Sequence, residues 1–147
     1  MPEPARCTWC GTDPQYVAYH DQEWGVPVCD DVALFQKLML DAFQSGLSWL
    51  VVLRKRDVMI KKLQLDFPDT LARWMPARVE RVLTDPGIIR NRTKVEACIN
   101  NARLFCDLRD AGRSFSDLLW AHVDGEPIVN HWKHDDQVPA RTPQGDA

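Results

Sequence analysis

Apolar residues recur along this chain at three- and four-residue spacing, and no stretch of it shows the sustained alternation that is typical of half-buried strands. The clearest example is one long amphipathic helix, in which Val95, Ile99, Ala102 and Phe105 fall on the same face. Residues 31–45 are apolar on almost every side, so we expect them to be central to the core. These patterns predict an all-α protein.

Capping residues, prolines and glycines predict where the helices begin and end. Asp13-Pro14 is typical of a helix start, and Gly46 of a stop. The basic residues 54–56 are expected to end one helical segment or to join it to the next. Separate helices are predicted over residues 13–23, 30–45, 58–65, 69–74, 76–84 and 114–123, besides the long helix after Gly87.

The domain organisation is predicted from the same patterns of apolar and polar residues. Residues 1–134 are predicted to form one helical domain with a single core, which a chain of 147 residues and 45% hydrophobic content can build. Residues 135–147 are polar, contain two prolines and show no apolar periodicity, so they are predicted to be a polar loop or tail.

Composition narrows the cellular setting. The chain has no apolar run that resembles a signal peptide or a membrane span, so we expect a cytoplasmic protein that does not bind membranes. Its five cysteines are an odd number without the tight spacing of a disulfide scaffold, which favours reduced thiols. We expect a monomer.

Charge is distributed unevenly. Residues 50–109 hold 13 Lys/Arg and 7 Asp/Glu, whereas the rest of the chain holds 5 and 14. The basic part is suited to a polyanion, although solvated basic helix faces are an equally ordinary explanation.

A helix, a tight glycine turn and a long helix follow one another over residues 78–109. Exposed backbone N–H groups at such a turn and at the next helix N-terminus can bind a phosphate, and nearby cations add attraction that does not depend on sequence. The pattern predicts a DNA-binding helix-hairpin-helix. Its candidate DNA contacts are Gly87, Ile88, Arg90, Arg92 and Lys94.

Aromatic residues crowd into the first 49 positions. Tyr and Trp carry polar groups that need partners, so such a cluster beside a carboxylate suggests the lining of a pocket for a flat, partly cationic ligand. An aromatic-rich corner of the core is the alternative. The cluster comprises Trp9, Tyr16, Tyr19, Trp24 and Trp49, interleaved with Cys7, His20 and Asp41.

Several long motifs resemble those of the 3-methyladenine DNA glycosylase I family. They are Arg6-Cys-Thr-Trp, residues 13–27 (DPQYVAYHDQEWGVP), residues 44–49 (QSGLSW), residues 87–92 (GIIRNR), residues 115–120 (FSDLLW) and residues 139–143 (PARTP). The resemblance implies a helix-hairpin-helix glycosylase that flips 3-methyladenine out of alkylated double-stranded DNA and hydrolyses its glycosidic bond. It also implies that a C-terminal segment of the family is missing from this chain.

The family pattern assigns roles to individual residues. It places Trp9, Tyr16, Tyr19, Trp24 and Trp49 in the aromatic pocket, with core packing as the alternative for Trp24 and Trp49. Asp41 stands where the family has a glutamate that hydrogen-bonds the base edge, so its carboxylate reaches one methylene less far. Asp41 lies in an apolar helix, which makes an ordinary surface charge unexpected. The pocket motifs contain no lysine, so water is the expected nucleophile.

The resemblance further implies a structural zinc, for which Cys7 and His20 match two of four family ligands. The other two family ligands lie in the missing segment. Cys10, His131 and His134 are possible substitutes that no known pattern supports, and an unmetallated pair is the alternative. Two ligands alone should bind zinc weakly.

Two competing functions stay open at this point. The first is a truncated DNA-binding remnant that keeps the hairpin and the basic helices but is impaired in chemistry. The second is a small zinc-binding interaction module built on Cys7, Cys10 and His20.

Overall fold

The computed structural model describes residues 6–146, and within that range the regular structure is helical, with no strand. This confirms the all-α prediction. The α-helices are α1 (Pro14–Gln22), α2 (Asp31–Gln44), α3 (Trp49–Leu63), α4 (Pro68–Ala72), α5 (Pro76–Leu83), α6 (Arg92–Asp110), α7 (Phe115–Trp120) and α8 (Pro143–Asp146). Short 3-10 helices cover Thr8–Cys10, Ala121–Val123 and Asp135–Gln137.

Local chemistry sets most of the helix starts. The Asp13 carboxylate accepts hydrogen bonds from the first turn of α1, and Asp30 accepts one from the backbone N of Ala33 in α2. Asn91 caps α6 in the same way by accepting from the backbone N of Lys94. Proline occupies the first position of α1, α4 and α5, where its missing N–H is no loss.

The predicted break at residues 54–56 is wrong, because α3 runs without interruption from Trp49 to Leu63. Its buried residues Val52, Leu53, Met59 and Leu63 keep helical spacing across the basic stretch. The charged side chains therefore fall on the solvent-facing side of one continuous helix.

The described part of the chain divides into two compact units, residues 28–117 and residues 6–27 with 118–146. In the unit of residues 28–117, helices α2 to α6 enclose a core with three phenylalanines at its centre. The ring centroids of Phe35 and Phe105 lie 5.0 Å apart with the rings tilted by 50°, and Phe105 meets Phe115 edge to face at 5.7 Å. Other side chains in this core that are fully buried are Met39, Phe43, Val52, Met59, Leu63, Leu65, Leu71 and Val95.

Asp31 joins the start of α2 to the start of α7. Its carboxylate accepts hydrogen bonds from the Ser114 hydroxyl and from the backbone N of Phe115 and Ser116. Burial alone would raise the pKa of Asp31, but these hydrogen bonds outweigh it and hold the pKa below its ordinary value. The carboxylate is therefore ionised at neutral pH, as a cap at a helix N-terminus should be.

The other unit contains α1, the three 3-10 helices and α8. The segment predicted as a loop or tail is exposed throughout its described part, but it contains a 3-10 turn and the four-residue α8. It is also anchored, because the backbone N and the hydroxyl of Thr8 both donate to Asp135.

Between residues 6 and 146, no helix combines the length and the apolar character that crossing a membrane requires. All five cysteines are free.

Candidate active site

Asp41 lies on the solvent-facing side of α2, where its side chain is 43% exposed. The expectation that it would not be a surface charge is wrong. It assumed that α2 is buried all round, whereas Phe35 and Met39 are buried on one side and Lys37 and Leu38 are exposed on the other. The Lys37 ammonium Nζ lies 2.5 Å from Asp41 Oδ1, one helical turn away.

Trp49, the first residue of α3, contacts the same ammonium. Its indole is 7% exposed, and Lys37 Nζ lies 4.6 Å from the ring centroid. Trp49 is therefore buried, as expected if it packs in the core. It nevertheless presents one ring face to a cation. The structure thus brings Asp41 and Trp49 to one ammonium group.

Sequence reasoning missed Lys37 because the residue lies outside every recognised motif. The signal that could have found it is the i, i+4 spacing from Asp41, which places both side chains on the same face of a helix.

Four of the predicted aromatic residues meet in the unit that contains α1. Trp9 is the hub, with ring centroids 5.1 Å from Tyr16, 6.5 Å from Tyr19 and 5.2 Å from Trp24. His20 stacks on Trp24 at 5.4 Å. Because Trp24 is 50% exposed, core packing does not describe it, and the cluster presents aromatic surface to solvent.

The tyrosines of this cluster differ in exposure. Tyr19 is buried, whereas Tyr16 is half-buried. Burial raises the pKa of Tyr16, and the nearby Cys10 thiol raises it further. The Tyr16 hydroxyl therefore keeps its proton at neutral pH and can donate a hydrogen bond.

His20 is held by a polar network on both ring nitrogens. Its Nδ1 lies 3.0 Å from Asp21 Oδ1, and its Nε2 accepts from the backbone N of Cys7 at 3.3 Å. Hydrogen bonds from the Arg6 guanidinium and from His20 lower the pKa of Asp21 to about 2. The ionised Asp21 thus favours the tautomer with the proton on Nδ1 and the lone pair on Nε2, directed at Cys7.

This pair only partly fits a structural zinc. Cys7 and His20 are neighbours, and a carboxylate on the far nitrogen is a common support for a zinc-binding imidazole. The Cys10 thiol, however, donates to the Cys7 carbonyl. Among residues 6–146, no group of three or more His, Cys, Asp or Glu side chains is arranged to hold a metal. The donors do not complete a four-ligand site.

The predicted hairpin connects α5 to α6. Its turn is closed by Asp85, whose carboxylate accepts from the backbone N of Gly87 at 2.8 Å and pairs with Lys62 at 2.8 Å. These two contacts, led by Lys62, hold the pKa of Asp85 below its usual value. Lys55 donates to the Pro86 carbonyl at 2.7 Å. The turn is thus fastened to α3 by two lysines.

The candidate DNA contacts in this hairpin differ in availability. Ile88 is 2% exposed, so its side chain belongs to the core. Arg92 pairs with Glu80 at 2.7 Å. Lys94 donates to the carbonyls of Phe43 at 2.9 Å and Ser45 at 2.5 Å, at the C-terminal end of α2.

Arg90 is different, because it is exposed and forms no hydrogen bond or ion pair within the part of the chain that the structure describes. It is the hairpin cation best placed to meet a phosphate.

We expect Gly87→Ala to destabilise the protein by about 1–3 kcal/mol, the typical cost of overpacking. A Cβ at this position would lie 2.6 Å from Val58 Cγ1. The measurement is urea denaturation of Gly87→Ala in the wild-type background and in a Val58→Ala background. Val58→Ala removes the clashing methyl group, so most of the cost should disappear there. An equal cost in both backgrounds would show that the close approach is not the cause.

Comparison with known proteins places the chain in a family. The family model for methyladenine glycosylases matches residues 9–147. DNA-3-methyladenine glycosylase 1 of Escherichia coli K12 is 39% identical over 142 residues, covering 97% of this chain and 76% of the relative. DNA-3-methyladenine glycosylase of Haemophilus influenzae is 36% identical over 137 residues, covering 93% and 74%. The chain belongs to the methyladenine glycosylase family.

Solved structures agree with this assignment. A crystal structure of 3-methyladenine DNA glycosylase I superposes with a TM-score of 0.93 at 42% sequence identity, covering 97% of this chain and 78% of the other. The Staphylococcus aureus 3-methyladenine DNA glycosylase I, solved to explain 3-methyladenine recognition, matches with a TM-score of 0.89 at 32% identity, covering 95% and 74%. The helical glycosylase fold is therefore confirmed.

Proposed function

We propose that this protein is a DNA glycosylase that hydrolyses the N-glycosidic bond of flipped-out 3-methyladenine in alkylated double-stranded DNA. The observation that carries the proposal is the family match over residues 9–147, with relatives named for this activity. It favours an enzyme over both a DNA-binding remnant and a zinc-binding interaction module.

The chemistry of the lesion suits the side chains at Asp41 and Trp49. Methylation at N3 gives the adenine of the nucleotide a positive charge. An enzyme that acts on such a base takes it out of the duplex and holds it by stacking and hydrogen bonds. An indole face attracts a cation that lies over it, and a carboxylate accepts hydrogen bonds from the base edge. The Lys37 ammonium already lies over the Trp49 ring and already donates a hydrogen bond to Asp41.

Hydrolysis needs little further activation by the protein, because the cationic base is already a good leaving group. The bond between C1′ and the base nitrogen breaks, and its electron pair stays with the base and neutralises the positive charge. Water adds to C1′ and loses a proton, leaving an abasic site. We propose water as the nucleophile, because none of the motifs that resemble the family contains a lysine.

DNA contact is proposed at the hairpin between α5 and α6. Arg90 supplies an exposed cation, and the N-terminus of the 19-residue α6 supplies backbone N–H groups. Binding through such contacts should weaken steeply with salt.

The proposed function is tested by the abasic sites it leaves. Duplex DNA methylated at N3 of adenine is incubated with the protein, and strands are separated before and after alkali. We expect breaks only after alkali and only in methylated DNA. Breaks without alkali would indicate a lyase. A folded protein that binds both DNAs equally but produces no alkali-labile sites would favour the DNA-binding remnant.

Zinc binding at Cys7 and His20 is implied only by the family resemblance and stays a prediction. Two ligands alone should bind zinc weakly, so the metal should contribute little to the stability of this chain. We therefore expect a chelator to leave the Tm of the 147-residue chain unchanged. Scanning calorimetry with and without chelator, alongside zinc analysis, measures this. Cys7→Ser is compared with Cys29→Ser, which alters an exposed cysteine. Stoichiometric zinc and a Tm that falls on chelation in wild type and Cys29→Ser, but not in Cys7→Ser, would contradict the expectation.

A further inference from the structure

Lys37 makes two contacts that a cationic base would also need. Its ammonium lies 2.5 Å from Asp41 Oδ1 and 4.6 Å from the Trp49 ring centroid. All three residues belong to the same compact unit. The carboxylate and the indole are thus already engaged by a positive charge that is part of the chain.

The ion pair between Lys37 and Asp41 is accessible from solvent. The side chains of Lys37 and Asp41 are 47% and 43% exposed. A lysine on a helix surface has a long flexible stem, so its ammonium can leave without unfolding the helix. An ion pair between exposed side chains is weak, so an incoming ligand can displace the ammonium.

Resting on the proposed function, we propose that Lys37 is an intramolecular competitor that occupies the base-recognition pair Asp41–Trp49 in the absence of substrate and so sets the affinity for the base. The N3-methylated adenine cation must displace the ammonium before it can stack on Trp49 and hydrogen-bond to Asp41. A neutral base, which gains less from either contact, displaces it less readily. Lys37 therefore weakens the apparent affinity for every base by the same factor, and cationic bases, which bind Asp41 and Trp49 more tightly, keep the higher occupancy.

The size of the effect follows from competition. When only a fraction of molecules has a free site, the apparent Kd rises by the inverse of that fraction. A weak surface contact that is formed about 70–90% of the time raises the apparent Kd about three- to tenfold. Removing the ammonium should therefore lower the Kd for a cationic base by about that factor.

The direct test is binding of the 3,9-dimethyladeninium cation, a stable stand-in for the N3-methylated nucleoside, measured by titration calorimetry. Lys37→Met keeps the apolar stem and removes the charge. We expect it to bind the probe about three- to tenfold more tightly than wild type. Lys37→Arg keeps a cation that also stacks on indole, so its Kd should not fall. Lys61→Met removes another exposed lysine, far along α3, and should leave the Kd unchanged.

Unchanged or weaker probe binding by Lys37→Met would overturn the proposal and would show that the ammonium only orients Asp41. The same variants in the excision assay separate this result from the proposed function. There we expect Lys37→Met to lower KM with kcat unchanged. Tighter probe binding by Lys37→Met with no excision by any folded variant would support the competition and reject the glycosylase. Excision by wild type, with no tighter probe binding by Lys37→Met, would support the glycosylase and reject the competition.

Discussion

Trp49→Ala is expected to abolish measurable release of 3-methyladenine and to lower the free energy of unfolding by about 3–5 kcal/mol. Both effects follow from the position of the indole, which is 7% exposed at the start of α3 and has one face beneath the Lys37 ammonium. Removing it leaves a cavity and also removes the stacking surface proposed for the base. Urea denaturation and excision by the folded fraction measure the two losses separately.

Trp74 offers a matched control for that experiment. It is also 7% exposed in the same unit, and the Arg78 guanidinium lies 5.0 Å from its ring centroid. Trp74→Ala should therefore cost a similar free energy of unfolding while its folded fraction still releases base. If the folded fractions of both variants lose excision equally, Trp49 is a structural residue and stacking on it is not the basis of recognition.

Asp41→Asn is expected to lower kcat/KM for 3-methyladenine release by about ten- to a hundredfold. A hydrogen bond to a charged group contributes about 1.5–3 kcal/mol, and 1.4 kcal/mol corresponds to a factor of ten. The amide has nearly the same size as the carboxylate, and the site is exposed, so stability should change by no more than about 0.5 kcal/mol. Single-turnover excision on methylated duplex DNA measures the loss.

Two further variants sharpen this test. Asp57→Asn removes a carboxylate that is 96% exposed and should leave excision unchanged. Asp41→Glu restores the methylene that the family pattern has and should raise excision above wild type. If Asp41→Asn retained full activity, Asp41 would not contact the base. If Asp41→Asn lost activity as expected but Asp41→Glu did not raise excision above wild type, the shorter carboxylate of Asp41 would not be a defect.

Helix starts and the buried periodicity could be predicted from sequence, because caps and apolar spacing are local signals. Asp13 caps α1 at the predicted helix start, and Asp30 caps α2 at the start of the helix predicted over residues 30–45. The continuity of α3 could not be predicted from its basic stretch, because tertiary packing of Met59 and Leu63 decides it.

The candidate site was predicted in its residue types but not in its contacts. The aromatic cluster around Trp9 forms as a group, since its members are close in sequence and share one helix and its flanks. The pairing of Lys37 with Asp41 and Trp49 depends on which side of α2 faces solvent. That side depends on packing by the rest of the unit, which apolar content alone does not reveal.

The most direct test of the central claim is to identify the base that the 147-residue chain releases from N3-methylated duplex DNA, by chromatography against authentic standards. We expect free 3-methyladenine as the main product and no base from unmethylated DNA. Folding is checked on the same sample by circular dichroism. A folded protein that releases no base, or that releases unmodified adenine as readily, would contradict the assignment of this chain as a 3-methyladenine glycosylase.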